Sequence, residues 1–134
     1  WFRAAARYLD PYFLTVQGLK SAYNNSPVVT DELIDRYYEL AIREGSREAT
    51  ISRFSGFGSR SSEPVDVTYL NMPALIMWGA EDALIPVSVA DQFATALENT
   101  TLVVYDDVGH APMEEIAERS AADVVSFLEA AGIK

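Results

Sequence analysis

Two short apolar runs separated by an amphipathic segment constrain this chain more than any other feature. Residues 74–79 form the first run and residues 101–105 form the second. Apolar residues at consecutive positions are typical of strands that are buried on both faces of a parallel sheet. Residues 87–98 between the runs repeat apolar side chains at helical spacing. The stretch 73–110 therefore predicts one βαβ unit with parallel strands and a crossover helix.

Two residues that can form a catalytic pair follow the predicted strands. Asp82 comes shortly after the first strand, and His110, the only histidine of the chain, comes shortly after the second. Neighbouring parallel strands end at the same edge of a sheet, where open α/β sheets place their sites. A carboxylate beside an imidazole orients it as a general base and stabilises its protonated form. Asp82 and His110 are therefore candidates to meet in space and to form a catalytic pair, although a lone histidine after a strand is more often structural or at the surface.

Other interpretations of this region stay open at the level of the sequence. Asp82 can instead cap the helix that follows it. Glu81, one residue earlier, is the main rival for the catalytic acid. Asp106 and Asp107 are closer to His110 in sequence, but loop carboxylates in such positions more often form turns.

The composition excludes several classes of function. The chain carries 20 acidic and 10 basic residues, and a net charge of −10 argues against binding to nucleic acid or to an anionic membrane surface. It has no cysteine, and one histidine is too few for a histidine-rich metal cluster. No apolar run is long enough to span a bilayer. We expect a cytoplasmic protein that needs no metal or cofactor and whose ligand is a small-molecule substrate.

The first part of the chain is predicted to be all-helical. Thr30 is a good N-cap for its clearest helix, and Gly45 suits the end of that helix. Residues 55–62 are rich in Gly and Ser, as connectors often are. We therefore divide the chain into a helical segment, 1–62, and an α/β segment, 63–134.

The predicted sheet is too small to be complete. A two-stranded parallel sheet cannot cover both of its faces, even with the single helix predicted at about residues 115–130. Ile76 and Met77 in the first strand, and Val103 and Val104 in the second, need further strands beside them. We expect either the N-terminal half of the same protein or a second copy of the chain to supply them.

The residues around the two strand ends form a recognisable motif. In chain order it reads Trp78-Gly79-x-x-Asp82-x-x-x-Pro86, a helix, a strand, and Gly109-His110-x-Pro112. This pattern resembles the C-terminal part of α/β-hydrolase-fold enzymes, over about residues 65–130, and residues 1–62 more loosely resemble the helical cap of these enzymes. In that family the Asp orients the His, which serves a nucleophile as general base. The resemblance implies the C-terminal half of an α/β-hydrolase fold preceded by cap helices.

The nucleophile of that family is missing from the chain. Its Gly-x-Ser-x-Gly elbow does not occur, and Ser55, which precedes Gly56, lacks the strand and the first glycine of that motif. The chain also begins with Trp1 rather than Met and is shorter than the family fold. We therefore expect the back half of a longer protein, with little hydrolase activity on its own.

The resemblance leaves several functions open. An upstream Ser nucleophile implies an esterase-like serine hydrolase acting on a small, largely apolar ester, or a related C–C hydrolase. An upstream Asp implies an epoxide hydrolase or a haloalkane dehalogenase, and a non-catalytic hydrolase-like binding module is a third alternative. Leu84, Ile85 and Met113 flank the predicted catalytic loops, and we predict that they contact the substrate in a pocket between cap and core.

Overall fold

The computed structural model describes residues 10–56 and 66–133, with the backbone alone at 54–56. Its helices and strands are, in chain order, α1 (Tyr12–Ala22), α2 (Asp31–Ile42), α3 (Ser46–Gly56), β1 (Ala74–Gly79), α4 (Ser88–Ala96), β2 (Thr100–Tyr105), α5 (Pro112–Glu115) and α6 (Ala117–Ala130). The described residues form two compact units, one of 10–19 and 29–56, and one of 20–28 and 66–133. The predicted boundary between 62 and 63 lies outside the described residues, and the membership of 20–28 in the second unit was not predicted.

In the described residues of the first unit, all regular elements are helices. As predicted, α2 begins after Thr30, whose hydroxyl oxygen accepts a hydrogen bond from the Leu33 backbone N–H at 3.3 Å. Gly45 follows α2 with φ of +81°, a conformation that glycine adopts without steric cost. The rings of Tyr12 and Tyr38 pack edge to face, with centroids 5.3 Å apart.

The second unit contains the predicted βαβ arrangement. β1 and β2 pair in parallel, with Ala74 opposite Thr100 and Gly79 opposite Tyr105. The crossover helix α4 packs on both strands, and its Ala90 is completely buried. The α/β class and the parallel strands with a crossover helix are therefore confirmed. The shared register ends both strands at the same edge of the sheet.

A buried tyrosine joins β2 to the last helix. Tyr105 is inaccessible to solvent, and its hydroxyl donates a hydrogen bond of 2.7 Å to the Asp123 carboxylate of α6. The Arg119 guanidinium lies 5.0 Å from the centre of the same ring. Burial raises the pKa of Tyr105, and so do the hydrogen bond to Asp123 and the negative charge of the Asp123 carboxylate; together they bring it to about 12. The phenol therefore stays neutral and acts as a donor at ordinary pH.

The helix predicted at about residues 115–130 corresponds to α6, which begins at Ala117, and the separate short helix α5 precedes it. Ile116 leaves the helical conformation (φ −135°, ψ 51°) between the short helix α5 and the longer α6. The break coincides with the position where the side chain of Glu115 turns back toward the loop before α5. The short helix α5 was not predicted.

The apolar strands are incompletely covered within this chain. Ile76, Met77 and Val103 are half-buried, and Val104 is 39% exposed. Among residues 10–56 and 66–133, each strand pairs with the other and with no third strand. Apolar surface that is buried in complete parallel sheets is therefore accessible here.

Candidate active site

The loop after β1 is shaped by its own aspartate. One carboxylate oxygen of Asp82 (Oδ1) accepts hydrogen bonds from the backbone N–H groups of Leu84, at 2.8 Å, and Ile85, at 2.9 Å. The indole Nε1–H of Trp78 donates to the Ile85 carbonyl oxygen at 3.1 Å. All of these contacts join residues that are close in sequence. The two bonds to the Asp82 carboxylate are of the kind that forms an Asx turn.

The loop after β2 is held from further away. The His110 backbone N–H donates to the carbonyl oxygen of Ala22 at 2.7 Å. The Glu115 carboxylate accepts from the backbone N–H groups on either side, those of Gly109 at 3.0 Å and Ala111 at 3.1 Å. Three consecutive backbone donors thus have acceptors outside the loop.

Backbone contacts bring the two loops together. The Glu81 N–H donates to the Val108 carbonyl oxygen at 2.9 Å. A Cβ atom at Gly79 would overlap the carbonyl oxygens of Val108 and Gly109, and one at Gly109 would overlap that of Ala22. Only glycine, which has no Cβ atom, lets these backbone segments approach each other this closely. The two glycines of the sequence motif are therefore required by packing.

These loops place Asp82 and His110 in direct contact. The second carboxylate oxygen of Asp82 (Oδ2) lies 2.8 Å from His110 Nδ1. The Asp82 side chain is 3% exposed, whereas the His110 side chain is 41% exposed. Because an ionised carboxylate only accepts hydrogen bonds, the contact assigns the proton of the neutral imidazole to Nδ1. The lone pair of the neutral ring then resides on Nε2.

The surroundings of Asp82 keep its carboxyl group ionised. Burial by itself raises the pKa of a carboxyl group. The hydrogen bonds from the Ile85 N–H, the His110 ring and the Leu84 N–H oppose this effect, and the pKa of Asp82 is lower than its ordinary value of 3.8. The group that faces His110 is therefore negatively charged at neutral pH, which stabilises an imidazolium beside it.

The other acidic residues near the site lie in different surroundings. Glu81, Asp106 and Asp107 are exposed. Asp107 has a φ of +60°, which is typical of Asp in a turn. Asp82 does not cap a helix, because the N-cap residue of α4 is Val87. Its loop hydrogen bonds nevertheless show that a structural role and the contact with His110 coexist in one side chain.

The residues predicted to contact substrate flank the pair in sequence and are accessible. Leu84 is 55% exposed, Ile85 is 41% exposed, and Met113 is 61% exposed. Their contact with a substrate stays a prediction. Sequence reasoning missed Ala22, which is remote in sequence from the histidine loop, and Glu115, which lies a few residues after it.

A separate cavity lies at the other end of the strands. It has a volume of about 430 Å³. Its lining residues are Pro73, Glu98, Asn99, Thr100, Thr101, Phe127, Ala130 and Ala131. The start of both strands borders it, so it lies away from the Asp82–His110 contact. None of the residues predicted to contact substrate lines it.

Two other kinds of feature are absent from the described residues. Within 10–56 and 66–133, no three His, Cys, Asp or Glu side chains are grouped in a way that could hold a metal ion. In the same part of the chain, no helix combines the length and the apolar character needed to cross a membrane.

Comparisons with known proteins agree with the motif. The family model for the alpha/beta hydrolase fold matches residues 5–116. The chain is 32% identical to the 2-hydroxymuconate semialdehyde hydrolase of Pseudomonas putida, over 75% of this chain and 38% of that protein. It is 30% identical to the 2-hydroxy-6-oxononadienedioate/2-hydroxy-6-oxononatrienedioate hydrolase of Burkholderia vietnamiensis, over 92% of this chain and 44% of that protein.

A solved structure of another hydrolase is also similar to this chain. The meta-cleavage product hydrolase of Pseudomonas fluorescens IP01, complexed with acetates, superposes with a TM-score of 0.81 and 27% identity, covering 94% of this chain and 48% of that chain. This chain spans less than half the length of the relatives named above. With the family match over residues 5–116 and the strand-end loops described above, the chain belongs to the α/β-hydrolase-fold family.

Proposed function

We propose that the complete protein containing this chain is a hydrolase with a nucleophile–Asp–His triad, of which this chain supplies Asp82 and His110. The observation that carries the proposal is the 2.8 Å contact between the Asp82 carboxylate and His110 Nδ1. The buried, ionised carboxylate holds the imidazole in one tautomer and leaves Nε2 to act as a base. The order of acid before histidine along the chain is also that of the α/β-hydrolase triad.

The proposed reaction uses His110 twice. As a nucleophile hydroxyl attacks the substrate carbonyl carbon, its proton moves to Nε2 and the Asp82 carboxylate stabilises the imidazolium. The bond from that carbon to the leaving group then breaks, and the leaving group takes the proton from Nε2. A water molecule then attacks the same carbon and gives a proton to Nε2. The bond from that carbon to the nucleophile oxygen breaks, this oxygen takes the proton from Nε2, and the product is released. The nucleophile is supplied by a part of the protein outside this chain.

For the substrate we infer a carbonyl compound of the kind named for the relatives, such as 2-hydroxymuconate semialdehyde. The three relatives named above are a hydrolase of 2-hydroxymuconate semialdehyde, a hydrolase of 2-hydroxy-6-oxononadienedioate and 2-hydroxy-6-oxononatrienedioate, and a meta-cleavage product hydrolase, which supports this class. A small, largely apolar ester, as predicted from the sequence, is the alternative substrate. Leu84, Ile85 and Met113 are the proposed contacts, because they are exposed beside the loops that hold the pair.

The remaining part of the protein is also a proposal. The half-buried strand residues of β1 and β2 need cover, and the relatives are more than twice as long as the stretch they share with this chain. We therefore favour the N-terminal half of the same protein over a second copy as the source of the additional strands. A cytoplasmic location, expected from the sequence, stays a prediction.

The test is His110→Ala in the complete protein, assayed with 2-hydroxymuconate semialdehyde and with p-nitrophenyl acetate. We expect turnover of the preferred substrate to fall by about 10³-fold or more, because the nucleophile loses its base. Asp106→Asn is the matched control, since it changes an exposed carboxylate in the same loop and should leave the rate unchanged. An unaltered rate in His110→Ala would exclude the triad, and binding of either compound without turnover would favour a binding module.

A further inference from the structure

Glu115 makes two hydrogen bonds that the proposed reaction does not use. Its Oε2 accepts from the Gly109 N–H at 3.0 Å, and its Oε1 accepts from the Ala111 N–H at 3.1 Å. The residue between these two donors is His110, whose own N–H donates to Ala22. The carboxylate therefore bridges the backbone across the histidine.

Helix capping explains only one of these bonds. Ala111 is the N-cap residue of α5, and an acidic side chain in the first turn commonly reaches back to the N-cap N–H. Gly109 precedes that cap by two residues and contributes no group to the helix. The hydrogen bond from the Gly109 N–H to Glu115 therefore stabilises the loop and is not part of the helix cap.

The bridge requires a carboxylate. Two donors have to be satisfied at once, and each oxygen of an ionised carboxyl group accepts one of them. Hydrogen bonds to an ionised acceptor are about twice as strong as bonds between neutral groups. A glutamine at the same position offers one acceptor and would set its NH₂ group against the second donor.

We propose that Glu115 is a positioning residue for His110. By bridging Gly109 and Ala111, it fixes the backbone from which the imidazole extends toward Asp82, and it thereby sets the direction of Nε2. Its effect on turnover rests on the proposed function, but its effect on the geometry of the imidazole does not. The half-buried position of Glu115 helps to shield the two bonds from competing water.

The test is Glu115→Gln in the complete protein, with two measurements. We expect kcat to fall roughly 10-fold or more with KM changed less than about twofold, because a displaced base slows the chemistry and leaves substrate binding intact. The second measurement is the NMR resonance of the His110 Cε1–H group, identified by its absence in His110→Ala. We expect this resonance to shift in Glu115→Gln.

Glu118→Gln is the matched control, because it removes the same charge from the exposed first turn of α6. It should change neither kcat nor the resonance. Glu115→Asp provides a milder variant should the glutamine variant fail to fold. It keeps the charge, but its side chain is one methylene too short to reach both donors, so a smaller change in the same direction is expected.

The outcomes separate this proposal from the previous one. Wild-type kcat and a wild-type His110 resonance in the folded Glu115 variants would overturn the positioning role, even if His110→Ala abolishes turnover. A shifted resonance in Glu115→Gln, combined with full turnover in His110→Ala, would support the positioning role and overturn the proposed triad.

Discussion

The two loops that meet at the Asp82–His110 contact are stabilised in opposite ways. The aspartate loop is held by short-range bonds, from Leu84 and Ile85 to the Asp82 carboxylate. The histidine loop is held by Ala22, from a remote part of the chain, and by Glu115, after the loop. A short stretch of sequence can specify the first loop, whereas the second needs the assembled fold around it.

This difference also assigns different tasks to the two side chains. The side chain of Asp82 is 3% exposed. One of its oxygens accepts hydrogen bonds from its own loop, and the other contacts the imidazole. His110 is partly exposed and is bonded to its surroundings through its backbone N–H and its Nδ1 atom. The acid is therefore a rigid support, and the histidine presents Nε2 as the reactive atom.

The largest expected effect comes from Asp82→Asn compared with Asp82→Ala. The asparagine oxygen can still accept the loop N–H groups, but its NH₂ group faces Nδ1 and selects the wrong tautomer of His110. In the complete protein we expect turnover to fall about 10³–10⁴-fold with little change in stability. Asp82→Ala should lose the same activity and also about 1–3 kcal/mol of unfolding free energy, because two loop donors lose their acceptor. Near-wild-type turnover in Asp82→Asn would contradict this assignment.

An intermediate effect is expected when the histidine loop is pushed away from Ala22. Gly109→Ala introduces a Cβ atom that overlaps the Ala22 carbonyl oxygen, so we expect a loss of about 1–3 kcal/mol or more in urea unfolding. Gly18→Ala is the matched control, since its Cβ would meet no atom within 4 Å inside α1. Removing that glycine from a helix should stabilise the protein by about 0.5–1 kcal/mol. Equal unfolding midpoints for the two variants would show that the close contact with Ala22 is not maintained in solution.

The smallest expected effect concerns acid stability of the aspartate loop. The pKa of Asp82 is lowered in the folded protein from its ordinary value of 3.8, so the ionised carboxylate stabilises the fold fully above that pH. This contribution is lost as the pH falls below 3.8 and the folded carboxyl group takes up a proton. We expect the unfolding free energy of the wild type to fall more steeply in this acid range than that of Asp82→Asn. Parallel curves for the two proteins would refute a stabilising role for the ionised carboxylate.

The fold was largely predictable because its signals are local. Consecutive apolar residues identified β1 and β2, and Thr30 identified the start of α2. The end of α2 was predicted less closely, because the helix ends at Ile42, three residues before Gly45. The short helix α5 was missed, because four residues are too few to show helical periodicity. The Glu115 side chain turns back at this point to a loop whose position depends on the assembled unit.

By itself the sequence determined which groups occupy the strand ends, because strand length and the order of the motif set where Asp82 and His110 follow their strands. The tertiary structure decided which oxygen of Asp82 faces the imidazole. It also placed the Ala22 carbonyl oxygen against the His110 N–H. The physical reason is that backbone N–H groups in a loop carry no side-chain signature, so their acceptors become identifiable only when distant segments have packed against them.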